Sequence, residues 1–302
     1  MTKKRFQLTF TAEQDGLLLR DALKNWGISK RTLTAVKFSG GELIVNGVER
    51  TVRHLLSEGD LVTIVFPPEE VSEGISIDEG ELDIVFEDET LLVINKPFDQ
   101  ATIPSFEHPT GTVANFAAYH LKRKGIPSTV HVVTRLDRDT SGLLCMTKNR
   151  HVHHLMDVLQ KERKLQKFYV AIVHGHMKED FLSVIAPIGR KEGSIIERKV
   201  SEEGQYAHTD VEVLKRIERG GQPFSVIRLK LHTGRTHQIR VHMSHIGHPL
   251  TGDDLYGGEK GLIQRHALHC HELLFPHPIT GNMLQLTAPL PDDMSRFIHQ
   301  NE

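Results

Sequence analysis

The sequence predicts an α+β protein in two parts, a small α/β unit over residues 12–68 and a larger domain of strands with flanking helices over 82–298. Three observations predict it. Short apolar runs bounded by Gly, Asn and Asp recur along most of the chain and read as strands. A few longer stretches, such as TVANFAAYHLKRK and NRHVHHLMDVLQKERKLQ, carry helical spacing instead. Between the two parts, PPEEVSEGISIDEGE is acidic, punctuated by Pro and Gly and poor in large apolar residues, which is a linker composition for about 69–81.

Bulk properties narrow the class. At 302 residues the chain is long enough for two cores. Its net charge of −2 does not announce nucleic acid, so any basic surface must be local. Cys145 and Cys270 are the two cysteines, far apart and in no zinc spacing, which argues against a disulfide framework and for a reducing compartment. The start, MTKKRFQLTF, lacks the apolar core of a signal peptide, and no run reaches transmembrane length. The expectation is a cytoplasmic monomer with no membrane partner.

In the first unit, LLLRDALKNW predicts a helix and ISKRTLTAVKF a second one capped by Ser29. ELIVNGVER predicts a strand entering an Asn46-Gly47 turn, and LVTIVF after Glu58-Gly59-Asp60 a final strand. Lys30, Arg31 and Lys37 on the second helix are candidates for phosphate contact, against the blander reading of a solvated face. Trp26 at a helix end fits core better than a stacking platform.

The larger domain opens with a hairpin pattern, IVF and LLVIN around Glu87-Asp88-Glu89-Thr90, followed by Asn95-Lys96-Pro97. Lys96 at this strand end suits either a scaffold or a substrate-edge role. The stretch TRLDRDTSGL, Thr134–Leu143, then sets two arginines and two aspartates between the apolar flanks HVV and LLCMTK. A charged turn between buried strands exposes a reacting group while holding it rigidly. Asp137 is the candidate, with Arg135 on its side of an extended backbone. A cation that close favours the ionised carboxylate, a nucleophile or base without any metal. The plainer alternative is a solvated surface pair worth little.

Downstream, His151, His153 and His154 have no partner at a metal-ligand spacing and read as a polar helix surface. The basic run Lys161, Arg163, Lys164, Lys167 is a candidate RNA-facing segment. Several strands follow over 181–231, leading into HTGRTHQIRVHMSHIGHPLTGD, read as a turn at Thr233-Gly234 and a helix from Arg235 to about Ile246. On it Thr236, Arg240 and Met243 share a face. From Arg219 to Gly252 no acidic residue occurs, which supplies local positive potential. The histidines there fit scaffold hydrogen bonds better than a metal site.

These motifs carry a resemblance. RLDRDTSGL is similar to the RLDxxTSG signature of the RluA-type pseudouridine synthases, with Thr134 standing where that family often has His. KFYVAIVHG, AHT, TGRTHQIRVHMSHIGHPLTGD and RHALHCHELLFPHP resemble further blocks of the same family, Cys270 taking the place of a usual alanine. Over about fifty residues the first unit resembles the RNA-binding S4 domain. The resemblance implies a mixed, mainly antiparallel β-sheet catalytic domain with flanking helices, and isomerisation of uridine to pseudouridine in RNA, ribosomal RNA ahead of tRNA, with neither cofactor nor metal. It makes Asp137 the catalytic residue, Tyr169 the aromatic that stacks on the target base, Arg240 the partner of Asp137 and Leu268 an apolar wall of the uracil pocket. Arg135 is placed to fill the vacated stack or hold a phosphate, and Arg235 to meet RNA. Whether Asp137 attacks the sugar or abstracts its 2′ proton stays open. A non-enzymatic RNA-binding assembly protein is the competing class, and a hydrolase using Asp137 and a histidine a weaker third.

Overall fold

One large sheet organises the chain in a computed structural model that describes residues 5–261 and 263–299. Its strand order is Phe181–Ile185 (β10), His208–Arg219 (β13), Gln222–Leu231 (β14), Gln166–His174 (β9), Leu268–Pro276 (β15), Ser141–Thr147 (β8), Leu91–Lys96 (β6) and Ile84–Glu87 (β5). His131–Val132 (β7) pairs with β8 and Met283–Thr287 (β16) with β15. All these pairings are antiparallel except β15 with β8, which is parallel. The mixed, mainly antiparallel α+β architecture expected from the sequence is what the chain adopts. The hairpin of β5 and β6 forms because Asp88 Oδ1 accepts the backbone N–H groups of Thr90 and Leu91, both at 2.7 Å.

The parallel seam brings two backbones into close approach. Gly142 lies opposite Cys270 at φ +109°, and a Cβ there would sit 2.3 Å from the Cys270 carbonyl oxygen. Only glycine tolerates both the backbone angle and the approach. Gly142→Ala should therefore lower stability by about 3–4 kcal/mol, measured as an earlier urea midpoint.

Helices Val113–Arg123 (α3), Arg150–Lys161 (α4), Gln238–His245 (α5) and Asp292–His299 (α6) pack on this sheet. Helix α3 opens on a capping box between Thr112 and Asn115. Helix α5 begins three residues later than the spacing suggested, because His237 before it sits at φ +56°. Thr236 thus precedes the helix and does not share a face with Arg240 and Met243.

The N-terminal unit has its own core around Leu19, Leu23, Val62 and Ile64. Leu19–Asn25 (α1) and Lys30–Phe38 (α2) pack on a sheet ordered Gln7–Thr11 (β1), Leu61–Val65 (β4), Glu42–Val45 (β2), Val48–Glu49 (β3). Ser29 caps α2, accepting from the Thr32 N–H at 3.1 Å. Asn46 and Gly47 make the β2–β3 turn at φ +49° and +79°. Trp26 is half-buried and stacks on Phe10 at 4.7 Å. Strand β1, ahead of residue 12, completes this sheet, so the unit begins earlier than its helical pattern suggested.

The acidic stretch after Pro67 is no free tether. Val71 and Ile75 pack against the large core, Asn115 Nδ2 donates to the Ser76 carbonyl at 2.9 Å, and Asp78 accepts from Gly111 N–H at 2.8 Å. Its carboxylates find backbone donors on the larger domain, a use that composition alone conceals. His151 departs from expectation too: it is buried, not on a polar surface, and its ring stacks on Phe66 of the small unit at 5.1 Å. Burial pushes its pKa down to about 4.

Candidate active site

A cleft of about 580 Å³ opens at the end of the sheet where β9, β14 and the 134–140 turn converge, and Asp137, Tyr169, Arg240, Leu268, Arg135 and Arg235 all line it. Residues far apart in the chain meet here because β9 and β15 pair directly, setting Cys270 opposite Tyr169 and Leu268 opposite Ala171.

The turn bearing Asp137 is clamped on every side but one. Thr134 Oγ1 accepts from Cys145 N–H at 3.0 Å, and Thr102 Oγ1 donates to the Leu136 carbonyl at 2.8 Å. Arg265 Nη1 donates to the Asp139 carbonyl at 3.0 Å, while Thr140 Oγ1 and His266 Nε2 lie 2.7 Å apart. Lys96, fully buried, donates to the carbonyls of Pro97, Gln100 and Arg138 at 2.7–2.8 Å. Burial pushes its pKa down to about 7 against the opposing pull of Asp139, Asp137 and Asp99. Lys96 therefore braces the turn from behind and does not line the cleft, which is the scaffold role and not the substrate-binding one also expected of it.

What remains facing the cleft is Asp137, its side chain one-third exposed. Asp137 is the one carboxylate among the described residues lining it. Arg240 Nη1 stands 3.6 Å and His237 Nε2 3.7 Å from its Oδ2. The cation beside Asp137 is thus Arg240 from the second motif, and not Arg135. The Arg135 guanidinium is exposed and has no ion-pair partner among the described residues, and its turn neighbour Arg138 pairs with Asp99.

Arg240 is itself held by a group the sequence reading passed over. Its Nε and Nη2 donate to the two oxygens of Asp253, both at 2.7 Å, and the Asp253 side chain is fully buried. Burial pulls the Arg240 pKa down, but the bidentate bond and charge of Asp253 outweigh it and raise the pKa. The guanidinium also lies over the Tyr256 ring at 4.9 Å. Tyr256 Oη and His237 Nδ1 are 2.8 Å apart, and the same hydroxyl accepts from Arg198 N–H at 2.9 Å. Burial lowers the His237 pKa against the opposing pull of Asp137. Asp253 belongs to the GHPLTGD ending of the motif, which was the available signal; Tyr256 and Arg198 gave none.

Tyr169 is buried beneath the cleft floor, and burial, reinforced by Cys270 and Asp137, holds its phenol well above the usual range. It is protonated at neutral pH, an aromatic face with a hydroxyl donor rather than a base. Leu268 is buried beside it. Arg235 is anchored at the rim, donating to the Tyr206 carbonyl at 3.0 Å and to Gln205 Oε1 at 2.8 Å. Lys30, Arg31 and Lys37 lie outside the cleft, exposed on α2 of the small unit.

One group among the described residues could hold a metal: the ligand atoms of His208, Asp210 and His232 lie within 4.8 Å of one another. Its carboxylate is already shared, with His208 Nε2 at 3.0 Å, His232 Nε2 at 2.5 Å and Ser183 Oγ at 2.5 Å. His242 serves the scaffold, bridging Thr209 Oγ1 and the Ala186 carbonyl, both at 2.9 Å. No helix is long and apolar enough to cross a membrane among the described residues.

Residues 90–245 match the family model described as RNA pseudouridylate synthase, a span that holds Asp137, Tyr169 and Arg240. The chain belongs to the RluA-type RNA pseudouridine synthases. It is 48% identical over 272 residues to an uncharacterized RNA pseudouridine synthase of Bacillus subtilis, YjbO, covering 90% of this chain and 95% of that protein. It is 36% identical over 267 residues to ribosomal large subunit pseudouridine synthase D of Pseudomonas aeruginosa, covering 84% of this chain and 82% of the relative. In structure it resembles human RNA pseudouridylate synthase domain containing 1, with a TM-score of 0.58 at 28% identity over 70% of this chain and 86% of that one. Enzymes of this RluA-type family are isomerases.

Proposed function

We propose that this RluA-type synthase isomerises uridine to pseudouridine in structured RNA, ribosomal RNA foremost, with Asp137 as the catalytic group. The observation that carries the reading is the solitary carboxylate of Asp137, fixed by its turn and set against Arg240 over a buried tyrosine and leucine. Chemistry on a stacked base requires the nucleotide to be flipped out, at a cost of roughly a few kcal/mol. The cleft offers a flipped uracil the apolar wall of Leu268 and the ring of Tyr169, the latter suited to stacking worth roughly 1–3 kcal/mol. Asp137 then acts on the sugar while the N-glycosidic bond breaks. The uracil turns over, its C5 bonds to the same anomeric carbon, and the C5 proton leaves to solvent while N1 takes one up. Arg240 orients and electrostatically supports the carboxylate throughout. Arg135 at the open side takes the vacated stack or a phosphate.

The ribosomal preference rests on the likeness to the Pseudomonas relative, whose name states a large-subunit substrate. The small unit supports it through the exposed cations Lys30, Arg31 and Lys37 on α2, in keeping with an S4-like RNA-binding module. The deciding experiment is tritium release from RNA labelled at uracil C5. Wild-type protein should release tritium from ribosomal RNA and much less from tRNA. No release from either RNA, with binding intact, would mean a silent RNA-binding assembly factor.

A further inference from the structure

A second groove of about 280 Å³ leaves the cleft past the ends of β9 and β14. The two spaces adjoin, sharing Gln160, Lys167, Leu231 and Gly234 in their walls. Arg163, Lys167, Lys230 and His232 line the groove and no acidic residue does.

Lys167 is the centre of this feature. It lies two residues before Tyr169 on β9 and so projects from the same sheet face as the tyrosine. Burial lowers its pKa, and the ammonium has neither a carboxylate nor a hydrogen-bond partner among the described residues. The side chain is partly exposed to the groove, and an unpaired cation there is stabilised when an anion arrives. Gly234 lies beside the ammonium, with Lys167 Nζ 3.5 Å from the point where a side chain there would begin. Glycine there leaves the approach to the ammonium open. Arg163 stands two residues beyond the end of α4 and Lys230 next to the last residue of β14, both lining the groove.

We propose that this groove carries the RNA strand flanking the flipped nucleotide and that Lys167 holds one of its phosphodiester groups, with Arg163 and Lys230 lining the same groove. The proposal rests on the synthase reading and adds to it the path of the strand. A phosphate fixed two residues from Tyr169 would set the depth to which the flipped nucleoside enters, making Lys167 a substrate-positioning residue.

The test uses the full chain with Lys167→Ala, Lys167→Arg, Arg163→Ala and Lys230→Ala, and Lys122→Ala, exposed on α3 outside both spaces, as control. Tritium release gives KM and kcat, and binding of unlabelled RNA over a salt series gives the slope of log affinity against log salt. Lys167→Ala should raise KM roughly tenfold or more with kcat little changed. It should also flatten the salt slope by about 0.7, the contribution of one single-strand phosphate contact. Lys167→Arg should recover most of both, the Arg163 and Lys230 variants should show smaller losses of the same kind, and the control should match wild type. An unchanged slope and KM in Lys167→Ala, with wild-type release intact, would sink the groove and leave the synthase reading standing. A fall in kcat at unchanged KM and slope would likewise overturn phosphate binding, since it marks a role in chemistry or folding. Wild-type protein without release would sink the synthase reading instead, and the salt slope would still decide the groove.

Discussion

Asp137→Asn should lower tritium release by at least about a thousandfold while leaving the thermal midpoint and RNA affinity close to wild type. The substitution keeps the side chain's shape and removes only its charge and basicity. Its backbone turn is held by Thr102, Thr134, Lys96, Arg265 and His266, none of which touches the Asp137 carboxylate. Folding therefore does not depend on that charge, and Arg240 keeps its bidentate partner Asp253. The comparison isolates chemistry from binding. Wild-type turnover by this variant would remove Asp137 from the mechanism, and loss of RNA affinity in step with activity would make it a binding group instead.

Asp253→Ala should be the most damaging substitution that never touches substrate. It leaves the Arg240 guanidinium largely buried, with the more distant Asp137 as its remaining charge partner. Breaking a buried ion pair from one side costs about 3–5 kcal/mol. Urea unfolding should show that loss. Arg240 would be expected to swing toward Asp137, so the folded fraction should also turn over at least about tenfold more slowly, through kcat rather than KM. An Asp253→Ala protein with wild-type stability and kcat would mean that Arg240 is positioned by its helix alone.

How much of this was legible in the sequence depends on where the information sits. Asp137, Tyr169 and Arg240 stood out because each lies in a local motif, and the cleft gathers all three. Lys96 was legible as a special lysine but not as a buried one, since nothing in Asn95-Lys96-Pro97 shows the three carbonyls that converge on it. Arg135 looked like the charge partner of Asp137 on spacing alone; the partner came from 103 positions further along the chain, through helix α5. Asp253 was within reach of the reading, 13 residues from Arg240 in the same motif, but its spacing does not show that it is buried against the guanidinium. His151 was misread because amphipathic spacing describes one helix, while its burial is created by Phe66 of a different unit. The start of α5 was missed because a left-handed residue that is not glycine, His237, leaves no compositional mark.

The clamp on the catalytic turn has a consequence for biogenesis. Arg265 and His266 close that turn from 126 residues downstream, and β15 supplies both its parallel neighbour and Leu268. At a synthesis rate of roughly 5–20 residues per second, the nascent chain carries Asp137 for roughly 6–25 seconds before those partners exist. During that interval the motif is present but the pocket is not. Non-local pairings of this kind also form slowly once available. The catalytic turn is therefore complete only once residues 265–270 have been made, and a chain interrupted before them carries the first motif without its pocket.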